Sequence, residues 1–246
     1  MKIGIIGFGR FGHLLARILP KEHNIKVTDK QNKLNIAKEI GVNFCNIDEV
    51  CRQEIIVLCI PISEVESVLL KIQDKIKKGQ IIMDICSVKE YSAKLMLKHL
   101  DKDVEIISCH PMFGPDSAKK GLKGLQIVFY NLRAAKKNFE KIKKIFKKLG
   151  LKIIEMSPKE HDRQNAMSLA LVYFIGRAFA NMDIPKLDIT TMTFEKLREI
   201  GRIVSNDSEQ LFYDMQNRNR FTKEVRKQFI KKAIEIDKKL STLKNK

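Results

Sequence analysis

The sequence predicts an α/β protein in which a doubly wound sheet is followed by an all-helical region. Three observations predict this. Short apolar runs alternate with helix-period segments from the N-terminus to about residue 157, the alternation that lays helices on both faces of a sheet. A glycine-rich turn joins the first apolar run to the first helical segment. From Pro158 onward only helical periodicity remains. With 246 residues, 44% of them hydrophobic, the chain has material for two domains, expected at 1–157 and 158–246.

The first run, Lys2–Ile6, lacks alternation, as in a parallel strand covered on both faces. It leads into Gly7-Phe8-Gly9-Arg10-Phe11-Gly12 and then a segment with Leu14, Leu15, Ile18 and Leu19 at helical spacing. Strand, GxGxxG and helix in that order are the fingerprint of a Rossmann-type dinucleotide site. Gly7 permits the tight turn, Gly9 lets a pyrophosphate approach the backbone, and Gly12 allows close packing of helix on strand. The N–H groups that open the helix suit phosphates, so all six residues, with Phe8, Arg10 and Phe11 between the glycines, are candidate cofactor contacts. Asp29 closes the second predicted strand, residues 25–28, where a carboxylate accepts bonds from the adenosine ribose hydroxyls and repels a 2′-phosphate. NAD is the expected cofactor. The adjacent Lys30 could accommodate that phosphate and keeps NADP as the second option.

A short helix over 34–40 ends at Gly41, and residues 54–61 form the next buried strand, stopped by Pro61. Ligands bind beyond the carboxyl ends of such strands, which makes Ile60 and Pro61 candidates to pack near the cofactor. A helix follows over 63–78, with Glu64 and Glu66 in its first turn and Lys75, Lys77 and Lys78 near its end, as the helix dipole favours. The strand over 80–85 delivers Cys86-Ser87-Val88-Lys89. Ser87 either caps the next helix or faces the crevice. The strand-like run 104–108 delivers His110 to the same edge, with Pro111, Gly114 and Pro115 breaking regular structure behind it. An imidazole titrates near neutral pH and can take a proton from an alcohol, so His110 is the candidate base. A strand over 126–130, an amphipathic helix over 134–149 and a strand at Lys152–Glu155 complete the sheet.

The helical region opens with a long stretch, 159–182, whose centre, 166–174, is apolar almost all round and must be covered by other helices or by a second subunit. Helices follow over 194–204, 208–216 and 223–243. Roughly 90 residues make a small core for independent stability, so a homodimer intertwined through the helical domain is expected.

A net charge of +18 raises nucleic acid as a partner. The lysines fall on helical segments interleaved with apolar residues, as along Lys136–Lys148, which reads as solvated helix faces. Trp is absent and aromatics are 7%, so stacking platforms for bases are not indicated. No nucleic-acid partner is expected, whereas a small anionic substrate would gain from the field. The five cysteines form no CxxC pair and no zinc spacing with histidine, so reduced buried thiols are expected, with no metal and no disulfide framework. Met1 is followed at once by a strand and no signal peptide is expected. The most apolar run, 167–175, is too short to span a bilayer, and a cytoplasmic protein without membrane contact is the expectation.

The chain resembles the prephenate and arogenate dehydrogenases of tyrosine biosynthesis. The motifs that carry the resemblance are GFGRFG at 7–12, CSVK at 86–89, HPMFGPDS at 110–117, EHDR at 160–163, and Gly201-Arg202-Ile203 followed by Asn206-Asp207. They span nearly the whole chain, and the histidine motif with SVK and HD is the specific part. The resemblance implies that a nicotinamide cofactor accepts hydride from C4 of a cyclohexadienyl ring while the C1 carboxylate leaves as CO2. It implies that His110 draws off the C4 hydroxyl proton, that Ser87 orients His110, and that Arg202 binds a side-chain carboxylate, a task suited to a guanidinium. Two departures concern the substrate end. Many members have glutamate where this chain has Asp116, and members often place a histidine on the following helix where this chain has Ala170 and Tyr173 in the region. Asp116 and Tyr173 are therefore the candidate substrate contacts there, and the choice between prephenate and arogenate stays open.

Two alternatives share parts of this pattern. β-Hydroxyacid-type dehydrogenases and imine reductases also join a Rossmann domain to helices, but typically place a catalytic lysine on the long helix, and 166–174 contains none. A basic, non-enzymatic NAD- or nucleic-acid-binding protein would show salt-steep polyanion binding without turnover.

Overall fold

The computed structural model describes residues 1–19 and 21–243; positions 244–246 of the second expected domain lie outside the described residues. The chain divides into two compact units, Met1–His161 and Asp162–Lys246. The division falls inside the helix that begins at Pro158, four residues beyond the boundary expected from sequence.

The first unit runs β1 (Lys2–Ile6), α1 (Arg10–Ile18), β2 (Asn24–Thr28), α2 (Leu34–Glu39), β3 (Asn43–Phe44), α3 (Ile47–Cys51), β4 (Ile55–Leu58), α4 (Val65–Ile72), β5 (Ile81–Asp84), α5 (Lys89–His99), β6 (Glu105–Pro111), α6 (Pro115–Ala118), β7 (Gln126–Arg133), α7 (Lys136–Lys148), β8 (Lys152–Glu155) and α8 (Pro158–Asn165), the last helix crossing into the second unit. One eight-stranded sheet has the order β3-β2-β1-β4-β5-β6-β7-β8. The first six strands are parallel, in the doubly wound order whose reversal point lies between β1 and β4. The two-residue β3, absent from the sequence reading, extends the rim beyond β2.

Strand β7 runs antiparallel to β6. Between them the only described helix is α6, a single turn, too short to carry the chain back along the sheet, so the chain can only return alongside. The 13-residue α7 then makes the full crossover, and β8 pairs parallel to β7. Leu15 and Leu19, together with Phe139, Ile142 and Phe146, pack on one face of the sheet against Ile3, Ile5, Val57, Met83, Ile107 and Phe129. Burying each such side chain stabilises by about 1.5–3 kcal/mol.

One expectation is corrected. His110 does not follow β6 but lies within it, because the strand continues through Pro111. The Cys109 N–H points toward β5, reaching Asp84 Oδ1 at 3.4 Å, and the position of the missing Pro111 N–H faces the same side by alternation. There β5 has already ended, so the proline costs no ladder bond. The β7 side of the ladder continues to the Met112 N–H, which donates to Gln126 O at 2.9 Å.

The second unit continues α8 without interruption through a π-helical segment, Ala166–Ala170, into α9 (Leu171–Ala180), followed by α10 (Met192–Ser205), α11 (Glu209–Arg218) and α12 (Thr222–Leu243). Helices α9 and α10 pack closely because Gly176 faces Val204: a Cβ on Gly176 would lie 2.9 Å from Val204 Cγ2. Asn219 Nδ2 donates to Asp162 O at 2.8 Å and Gln216 Nε2 to Ala170 O at 2.7 Å, tying the end of α11 to the first helix of the unit. Several large apolar side chains remain exposed, among them Met167, Val172, Ile230, Ile234, Ile236 and Leu240. Among the described residues no helix is long and apolar enough to cross a membrane.

Candidate active site

The glycine turn is built for close backbone approach. Gly7 has φ +97°, and a Cβ there would lie 2.2 Å from Cys59 O and 2.9 Å from Ile60 Cγ2, so the turn presses on the strand end after β4. A Cβ on Gly12 would sit 2.1 Å from Gly7 O, whereas Gly9, the N-cap of α1, has nothing within 4 Å of its Cβ position. The nine-residue α1 starts at Gly9 with no side-chain cap, a helix end of the kind that suits an anion. A diphosphate fits this turn: open at Gly9, backed by the helix, and bordered by Ile60 and the exposed Pro61.

Asp29 closes β2 as expected, and its carboxylate also organises the turn. Oδ2 accepts from the Phe8 N–H at 2.7 Å and Oδ1 from the Gln31 N–H at 3.0 Å, while the Lys33 ammonium lies 3.3 Å from Oδ2. Burial alone would raise the Asp29 pKa, but the Gln31 and Phe8 N–H donors and the Lys33 charge outweigh it, and the carboxyl is held below its ordinary value. Lys30 pairs with Glu64 at 2.5 Å.

At the adjoining strand ends, β5 and β6 pair with Asp84 opposite Ser108. Ser87 and His110 leave this register pair by three and two residues at the same carboxyl edge. Ser87 is buried, and the N-cap residue of α5 is Val88. Beneath them lies an ion pair that the sequence did not reveal: Lys89 and Asp84, 2% and 0% exposed, are in direct contact. The Lys89 ammonium also donates to Cys109 O at 2.6 Å. Asp84 accepts from the Cys86 N–H at 3.3 Å as well as from that of Cys109. Both strand ends are thereby fixed to one buried pair.

His110 is 5% exposed, and its Nδ1 lies 2.8 Å from Nε2 of the buried His161 on α8. Helix α8 opens with Ser157 accepting from the Glu160 N–H at 3.3 Å and with Pro158 in its first turn, a start signal that sets His161 one turn in. Burial first, then the neighbouring His161 and Lys89, hold the His110 pKa well below 6.5. The imidazole is thus neutral at pH 7 and carries one lone pair. Cys86 and Cys109 are not rival nucleophiles, since burial pushes both thiols well above their ordinary value.

The loop after His110 meets the glycine turn at two points. Arg10 pairs with Asp116 at 2.7 Å, and the Phe11 and Phe113 rings lie 6.0 Å apart between centroids. Lys119 also pairs with Asp116, at 2.8 Å. The first unit therefore gathers Gly7 to Gly12, Asp29, Ile60, Pro61, Ser87, His110 and Asp116 along one sheet edge.

Tyr173 and Arg202 belong to the second unit. The Tyr173 hydroxyl donates to the Asp207 carboxylate, whose residue also accepts at its backbone carbonyl from Arg177, at 2.6 Å. Arg202 is exposed and lines a cavity of about 470 Å³ with Arg198, Lys186, Phe179, Leu187 and Phe194. Two guanidiniums one helical turn apart, an ammonium and aromatic side chains in one lining suit an anionic ligand with an apolar body.

Sheet order, glycine turn and ribose-side carboxylate define a Rossmann-type dinucleotide-binding protein joined to a helical unit. Residues 15–155 match the family profile described as prephenate dehydrogenase, nucleotide-binding domain, and residues 178–246 match a TYRAAT1-like C-terminal domain. The chain belongs to the prephenate dehydrogenase family. It is 32% identical over 225 residues to arogenate dehydrogenase 2 of Arabidopsis thaliana, a chloroplastic protein, covering 87% of this chain and 63% of that one. It is also 32% identical over 253 residues to a probable arogenate/prephenate dehydrogenase of Methanocaldococcus jannaschii, covering 96% and 56%. The chain thus spans less than two thirds of the length of either relative. Its fold is shared with prephenate dehydrogenase from Aquifex aeolicus, solved with hydroxyphenyl propionate and NAD+ (TM-score 0.78, 16% identity, 100% of this chain and 92% of that one). It is shared as well with Synechocystis arogenate dehydrogenase (TM-score 0.70, 20% identity, 99% and 93%).

Proposed function

We propose that this chain catalyses oxidative decarboxylation of prephenate or arogenate, with hydride transfer to a nicotinamide cofactor. The observation that carries the reading is a buried His110 at the strand edge that also presents the glycine turn. Gly7 to Gly12 would hold the pyrophosphate, Asp29 the adenosine ribose, and Ile60 and Pro61 would border the cofactor. A bound nicotinamide supplies the hydride acceptor. His110 takes the C4 hydroxyl proton at Nε2 as the C4–H electron pair departs, which leaves a C4 carbonyl. The C1–carboxylate bond then breaks, CO2 leaves, and its electron pair makes the ring aromatic and places charge on the C4 oxygen. His110 returns the borrowed proton to that oxygen, so no net proton is released. With His110 Nδ1 already engaged by His161, Ser87 would approach the nicotinamide and the C4 hydroxyl instead of orienting the imidazole, and Arg202 would bind the side-chain carboxylate. Tyr173 would reach the substrate side chain. Asp116, already neutralised by Arg10 and Lys119, would stand near an anionic substrate at little electrostatic cost.

NAD is favoured over NADP, because the Asp29 carboxylate stays charged and Lys30 is engaged by Glu64. A homodimer through the helical unit would cover the exposed Met167, Val172, Ile230 and Ile234. Activity in the cytoplasm is part of the same reading. The test is reduced-nicotinamide absorbance with prephenate and arogenate each crossed with NAD and NADP. Turnover is expected with NAD and at least one of the two substrates; no reduction in any combination by folded protein would remove the reading.

A further inference from the structure

His110 Nδ1 and His161 Nε2, 2.8 Å apart between buried rings set edge to face at 71°, share one hydrogen bond. Only one of the two nitrogens can carry the proton. If His161 donated, a neutral His110 would have its single proton on Nε2 and no lone pair left for a substrate hydroxyl. If His110 donates, Nε2 keeps the lone pair that a base requires.

We propose that His161 is the positioning residue for His110, accepting the His110 Nδ1–H bond so that the base nitrogen is Nε2 and sharing the charge while His110 holds the borrowed proton. The inference rests on the reading of His110 as the base. Burial favours a neutral His110 at rest, and the charged Lys89 on α5 beside it is bound to Asp84 on β5. A carboxylate in the place of His161 would orient the ring equally well, as in hydrolase triads. It would also draw His110 toward imidazolium and set a negative charge beside a substrate that carries carboxylates. A neutral imidazole orients without either penalty.

The histidine tautomers can be read on the full chain by long-range proton–nitrogen NMR with nitrogen-labelled histidine, alongside steady-state turnover. The expected result is His110 protonated on Nδ1 and bare on Nε2 in the wild-type chain. His161→Leu should release that tautomer and lower kcat on the order of 10²-fold with KM little changed. His161→Gln, whose Oε1 stands near the place of Nε2, should restore most of both. Wild-type His110 protonated on Nε2 would overturn the proposal, as would a Leu variant with unchanged kcat and unchanged nitrogen shifts. Should the Leu variant fail to fold, the wild-type tautomer still decides. A wild-type chain that turns over no substrate removes the functional reading instead, while the tautomer remains measurable.

Discussion

His110→Asn keeps a polar group near the place of Nδ1 and removes the basic Nε2. The expected loss is about 10²-fold or more in kcat, with cofactor affinity nearly retained, read by steady-state kinetics and by binding titration. An unchanged kcat would take His110 out of the reaction. The pH dependence follows from the direction of its shift. With the folded pKa well below 6.5, the acid limb of kcat/KM should lie below pH 6.5. The unfolded chain takes up a proton near pH 6.5 that the folded chain refuses, so this residue's contribution to stability shrinks as pH falls from there. Lys89 offers a second test. Lys89→Met leaves Asp84 charged and buried without its partner, which should cost about 3–5 kcal/mol in urea unfolding, and adding Asp84→Asn should recover most of it. His110 and Asp29 were legible from sequence because each follows an apolar run at a sheet edge. Lys89 and His161 stood in motifs without a role, and Asp84 was missed: a lysine is read as surface by default, and only the aspartate closing the otherwise apolar run Ile81–Asp84 hints that a cation must be buried nearby.

At the scale of elements, the glycine turn and α1 succeed or fail together. Gly12→Ala places a methyl 2.1 Å from Gly7 O, and relieving it must tilt α1 or deform the turn. A strain of about 1–3 kcal/mol corresponds to roughly a 5- to 140-fold loss of NAD affinity, measurable by calorimetry. Undiminished binding would show that the turn does not hold the diphosphate. Strands β1, β4 and β5 were visible as uninterrupted apolar runs bounded by turn residues. The short β3 had no such signal, since its two residues owe their conformation to pairing with β2. The direction of β7 was equally hidden, because it follows from the length of α6 and not from any pattern within β7. Pro111 misled in the opposite sense: read as a breaker, it occupies the one ladder position in β6 where its lack of an N–H does no harm.

For the whole molecule, charge and oligomeric state pull in different directions. A net charge of +18 opposes close approach of two copies at low salt, so an interface between them must be apolar enough to prevail. The exposed Ile234 and Leu240 on α12 meet that requirement. Ile234→Lys is expected to shift the chain from dimer to monomer in sedimentation equilibrium, whereas a wild-type chain that sediments as a monomer at micromolar concentration would end the dimer reading. Composition made the charge plain, and the all-round apolar centre of 166–174 made the need for cover plain. Which faces stay exposed had to come from the packing of α9 on α10. The return of β7 beside β6 has a last consequence. It moves β6 from the rim of the sheet to its interior, with hydrogen-bonded neighbours on both sides. Rim strands fray and exchange their amides in small local openings, while interior strands open only with the cooperative unit that contains them. The backbone that carries His110 is thus insulated from partial unfolding, and the site keeps its geometry for as long as the sheet itself survives.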